Sequence, residues 1–103
     1  MKKLSRNPDL VWRDEPAERE GIVKALEGGD ESAAERGWVI IIDKGSMHQL
    51  NLLAGEIWLL LDGTLDEYEV AKNLASRYDA PIEEIIEDVR EFIADCEKKG
   101  WLA

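Results

Sequence analysis

The chain has 103 residues, 23 of them acidic and 13 basic, with a formal charge of −10 at pH 7; this length suits one domain with a modest stability margin. The acidity counts against binding a phosphate backbone, which relies on Lys and Arg to displace counterions, and suits a soluble protein or one with a basic partner. The lone Cys96 excludes an internal disulfide and a cysteine-held zinc or iron–sulfur site.

Residues 1–9 read as a flexible, basic and polar lead-in that closes in the turn-type cluster Asn7-Pro8-Asp9. No apolar h-region follows its lysines, and no window is long enough to span a bilayer, so the cytoplasm is the expected compartment. Leu10–Arg13 reads as a short strand, closed by Pro16. Residues 17–36 read as a long acidic connection, with Glu18, Glu20, Glu27, Asp30, Glu31 and Glu35 and a break at Gly28-Gly29. Within it, Gly21–Leu26 is too short for its period to separate a strand from one or two helical turns. The connection is either a solvated loop or an interaction arm for a partner.

Trp38–Ile42 is a continuous run rich in β-branched residues and predicts a strand. Asp43-Lys44-Gly45 is the turn, with Gly where positive φ is needed. Met47–Leu50 returns as a short, polar strand suited to a sheet edge. By alternation His48 and Leu50 share one face, assigned to the core, and Met47 and Gln49 share the other. Asn51 is placed to cap a helix through its side-chain oxygen. In that helix Leu53, Ile57, Leu60 and Leu61 recur at helical spacing, widened by Leu59 and Trp58. Asp62-Gly63 is the expected stop.

Thr64-Leu65-Asp66-Glu67 has the pattern of a capping box, with Thr64 as cap and Glu67 reaching back. Tyr68, Ala71, Leu74, Ala75 and Tyr78 then keep helical spacing. Asp79-Ala80-Pro81 breaks that helix and opens another, with Pro81 in its first turn. In the last helix Ile82, Ile85, Ile86, Val89, Phe92, Ile93 and Cys96 form a clean amphipathic stripe. Lys98 and Lys99 sit at its negative end, Gly100 ends it, and Trp101-Leu102 can fold back on the core. The expected fold is α+β and winged helix-turn-helix-like: a three-stranded antiparallel sheet followed by three helices.

No catalytic constellation emerges. His48, the one histidine, has no acidic partner in its local sequence and reads as structural or peptide-lining. Ser46 and Cys96 lack an activating base, and Cys96 lies on the apolar stripe as a buried structural thiol. Trp58 reads as core, whereas Trp12, Trp38 and Trp101 read as core lids or as anchors for a partner protein. A winged helix can read DNA through its last helix, but here that helix carries Glu83, Glu84, Glu87, Asp88 and Glu91 against Arg90 alone in its first half. The remaining chemistry is recognition of an extended peptide by strand addition to an edge. The same edge could instead serve a homodimer.

The ordered series Leu50-Asn51, Gly55, Ile57-Trp58, Leu60-Leu61-Asp62-Gly63, Tyr78, Asp88-Val89 and Phe92-Ile93 resembles the PqqD family, the RiPP recognition elements that bind leader peptides in ribosomal peptide maturation. The resemblance covers residues 38–102 well, residues 9–16 weakly and residues 17–36 hardly at all; the family has a shorter connection there. Met47–Leu60, MHQLNLLAGEIWLL, is similar to members that accompany a radical SAM maturase of the SPASM type. The resemblance implies a non-catalytic peptide chaperone; from the residues themselves, no cofactor, metal, membrane or nucleic-acid partner is expected. The resemblance also implies that the leader of a ribosomal precursor peptide lies between the strand Met47, His48, Gln49, Leu50 and the last helix. On that helix the two flanks of the stripe are equivalent by periodicity, Ile85, Asp88 and Phe92 on one and Ile86 and Arg90 on the other. The first flank is taken as the groove wall.

Overall fold

The computed structural model describes residues 2–103. Its elements run β1 (Lys3–Ser5), β2 (Val11–Asp14), α1 (Pro16–Glu27), a 3₁₀ turn (Glu31–Glu35), β3 (Val39–Asp43), β4 (Ser46–Leu50), α2 (Leu52–Leu60), β5 (Asp62–Asp66), α3 (Glu67–Tyr78) and α4 (Ile82–Lys99). The fold is α+β, and the expected antiparallel sheet is present in the order β2-β3-β4. The chain divides into two compact units: Asp9–Glu56, and Ile57–Ala103 with the described residues before Asp9.

In the unit Asp9–Glu56 the β-branched β3 is the central strand, with Val39 and Ile41 fully buried. The acidic stretch after Pro16 is not a plain connection. Pro16 opens α1, whose pre-set φ suits a first turn, and the ambiguous Gly21–Leu26 segment is helical. The carboxylates hid the helix because only Ile22 of α1 is buried, with Ala33 following in the 3₁₀ turn. Charged contacts fasten this helix. Arg19 donates to Glu56, whose residue is only 4 % exposed, and its guanidinium lies 5.6 Å from the Trp38 ring centroid. Arg36 Nη2 meets Glu18 Oε2 at 3.4 Å on the exposed side.

Trp38 is buried, and its Nε1 donates to the Leu52 carbonyl at 3.3 Å. Asn51 caps α2 as expected, its Oδ1 accepting from the Ala54 amide at 3.0 Å. Gly55 makes this packing possible, since a Cβ there would lie 2.4 Å from Trp38 Nε1.

In the other unit the basic start is not a free lead-in. Leu4 is buried, and β1 pairs antiparallel with β5, Lys3 opposite Asp66 and Ser5 opposite Asp62. Residues 62–66, where a helix stop and a cap are expected, instead supply this strand, with Gly63 at φ 92° where the register is irregular. α2 accordingly ends at Leu60, and Arg6 Nη1 donates to the Trp58 and Leu59 carbonyls at 2.8 and 3.1 Å. The capping box moves on by two residues because Thr64 is strand. The Asp66 side chain accepts from the Glu69 amide at 2.8 Å, and Glu69 Oε1 accepts from the Asp66 amide at 3.0 Å. That amide, together with Lys3 Nζ at 2.9 Å, holds the Glu69 carboxyl below its ordinary range.

α3 buries Val70, Ala71, Leu74 and Ala75 and packs on α4; Tyr68 and Tyr78, placed on the stripe by spacing, are exposed. α4 buries Ile85, Val89, Ile93 and Cys96. It ends in a Schellman arrangement, with Gly100 at φ 74°, its amide donating to Glu97 and the Trp101 amide donating to Cys96 at 2.9 Å. Trp101 is buried edge-on to Trp58, centroids 6.1 Å apart. Trp38 and Trp101 are thus core residues, whereas Trp12 is half-buried. No helix among the described residues is long and apolar enough to cross a membrane.

Three outcomes follow for stability. Gly55→Ala should destabilise by about 1–3 kcal/mol in urea unfolding, because overpacking against Trp38 outweighs the roughly 1 kcal/mol helix-propensity gain. Arg19→Ala leaves the buried Glu56 carboxylate short of a donor and should cost about 1–3 kcal/mol, against under about 1 kcal/mol for Arg36→Ala at its exposed pair. Burial pushes the Cys96 thiol from its ordinary 9.0 up to about 12. Between those values the native state keeps a proton that the unfolded state has released, so stability should fall as pH rises through that window. The urea midpoint of the wild type should therefore drop more than that of Cys96→Ala between about pH 8 and about pH 10.5.

Candidate functional site

The site is built by one turn. Lys44 and Gly45 both take positive φ, 50° and 80°, the signature of a two-residue type I′ hairpin. Such a turn closes on a hydrogen-bonded pair, here Asp43 opposite Ser46. Antiparallel pairs then alternate. Ser46, His48 and Leu50 direct their amides and carbonyls at β3, and Met47 and Gln49 direct theirs away from it. β4 is the end strand of the sheet, and among the described residues no strand pairs with it on that side. Just before β3 the Trp38 amide donates to the Leu50 carbonyl, at 3.0 Å, so backbone bonding to Leu50 extends one residue beyond the strand.

The side chains follow the same parity. Leu50 is buried and His48 half-buried, on the face of Val39 and Ile41. Met47 and Gln49 are exposed on the opposite face. Gly37 passes so close to Gln49 that a Cβ there would lie 2.6 Å from the Gln49 Cβ. The structure thus brings Met47, His48, Gln49 and Leu50 together on one strand with alternating exposure.

Ile85, Asp88 and Phe92 stand together on one flank of α4 in the other unit, at i, i+3 and i+7. Ile85 is buried, Phe92 half-buried and Asp88 exposed. On the other flank Ile86 is half-buried and Arg90 exposed, its Nε 3.4 Å from Glu67 Oε2. Glu83, Glu84, Glu87, Asp88 and Glu91 are all exposed, a surface that repels a phosphate backbone.

Among the described residues no group of three or more His, Cys, Asp or Glu is placed to hold a metal ion. The Cys96 thiol is pushed up to about 12 by burial, the reverse of an activated nucleophile.

Sequence reasoning missed two residues near the edge: Val11 and Ile42, exposed and aligned with Met47 across the three strands. The unbroken run Val39–Ile42 carries no alternation, so it could not say which residues face outward.

Comparison with known proteins adds the family. The model of Coenzyme PQQ synthesis protein D (PqqD) matches residues 30–102, a span that begins after α1. No curated protein and no solved structure gives a significant match. With β3, β4 and every later element inside the matched span, the chain belongs to the PqqD family, peptide-binding accessory proteins of pyrroloquinoline quinone and ribosomal-peptide biosynthesis.

Proposed function

We propose that this chain binds the leader of a ribosomally made precursor peptide as an added strand on β4 and presents the peptide to a radical SAM maturase. The observation that supports this best is the open edge of β4, with the Met47 and Gln49 backbones directed away from β3. An extended guest can satisfy those groups with its own amides and carbonyls, and each such bond is worth about 0.5–1.5 kcal/mol net. Affinity on this reading is largely independent of guest sequence, and side-chain contacts add the choice of guest. The family resemblance implies α4 as the second wall, with Ile85, Asp88 and Phe92 toward the guest, and a maturase of the SPASM type as the recipient. The chemistry of maturation belongs to that partner, and this chain contributes position and concentration.

The test titrates the chain calorimetrically with synthetic leader peptides of precursors served by PqqD-family proteins. Gln49→Pro removes one outward donor from an edge strand, where Pro is tolerated. It should leave the fold intact and weaken binding by about five- to tenfold. His48→Pro removes a donor aimed at β3 and should destabilise the sheet instead. Unchanged affinity in folded Gln49→Pro protein would remove β4 as the binding edge.

A further inference from the structure

The register arranges the outward face of the sheet in two rows that cross the strands. Val11, Ile42 and Met47 stand opposite one another in the first, and Arg13, Ile40 and Gln49 in the second. The first row is wholly apolar, with Val11, Ile42 and Met47 at 67 %, 40 % and 63 % exposed. A surface hollow of about 240 Å³ lies among Val11, Trp12, Arg13, Ile40, Ile42 and Met47. Apolar surface left contiguous in this way marks an interaction site more often than scattered apolar residues do.

A second copy is a poor occupant. Three side chains fall far short of the roughly 800 Å² per partner that a stable dimer needs, and two chains of charge −10 repel each other. The row ends at Met47, on the end strand, where the backbone faces the open side. A guest strand bonded there lies about 4.8 Å from β4. Its residue opposite Met47 projects onto this same face, with Cβ atoms about 5 Å apart. The guest therefore lengthens the row by one position.

We propose that the row Val11–Ile42–Met47 is a specificity determinant for the guest peptide, selecting a large apolar side chain opposite Met47 and a polar one two residues away, opposite Gln49. This rests on the strand-addition reading. Packing beside Met47 covers its exposed methylenes and thioether, contributing about 25 cal/mol per Å² of apolar surface removed from water. The unbranched thioether adapts to several apolar shapes. A charged guest residue at the same place would lose hydration without gaining a partner. The second row carries Gln49 at the edge, whose amide can exchange hydrogen bonds with a polar guest side chain.

The probe is a display library of random 12-residue peptides, panned on the full chain, on Met47→Glu and on Gln49→Pro. Met47 is mostly exposed, so its replacement leaves the core untouched. The wild type should enrich peptides with an apolar position spaced two from a polar one. Met47→Glu should move that apolar position to Lys or Arg and weaken the wild-type winners by about tenfold, and Gln49→Pro should weaken them too. If Gln49→Pro weakens binding but Met47→Glu leaves the consensus unchanged, the row has no role in selection and strand addition stands. Enriched peptides indifferent to Gln49→Pro, or no enrichment on the wild type, would overturn strand addition and the row with it.

Discussion

The hairpin turn at Lys44-Gly45 is the constraint from which the functional surface follows. With two residues at positive φ it admits one pairing, Asp43 with Ser46. Every later parity is then set: which β4 amides bond to β3, which face outward, and which side chains enter the core. A slip of one residue would turn His48 and Leu50 to solvent and bury Met47 and Gln49. Glycine carries the larger φ, 80°, and Lys44 tolerates the left-handed conformation at 50° as the first turn residue.

Two close contacts support that hairpin within its unit. Gly37 admits the chain beside Gln49, and Gly55 admits the Trp38 indole against the start of α2. The second contact gives Trp38 a carbonyl partner at Leu52 and places its ring beneath Arg19. Arg19 in turn meets Glu56, so α1 is joined to α2 through a buried carboxylate. Glu56 is buried while the Arg19 side chain is 41 % exposed, so removing Arg19 deprives a buried carboxylate of a donor. α1 lies before the span shared with the PqqD family, and it is held by charge and ring contacts rather than by a broad apolar face.

The other unit is closed by its chain ends. β1 gives β5 a partner, Arg6 satisfies carbonyls at the end of α2, and the Asn7 amide donates to the Trp101 carbonyl at 2.9 Å. The Schellman turn at Gly100 directs Trp101 back onto Trp58. The basic, polar lead-in therefore takes part in both the backbone pairing and the packing of this unit.

Local chemistry alone determined a good deal of this protein. The β-branched run at 39–42, the turn glycine, the Asn51 cap, the α4 stripe and the Gly100 stop are short-range features, each settled by neighbours within a few residues. The strand Met47–Leu50 and its alternation were legible for the same reason. Tertiary structure decided what depends on partners far along the chain. β1 exists because β5 pairs with it, about sixty residues on. α1 was obscured because its fastening is two ion pairs, a ring contact and one buried isoleucine rather than a periodic stripe. Thr64 lost the cap to Asp66 because β5 claimed its backbone. The row Val11–Ile42–Met47 needs the register of three strands at once, and register is a property of the assembled sheet that no single stretch of sequence contains.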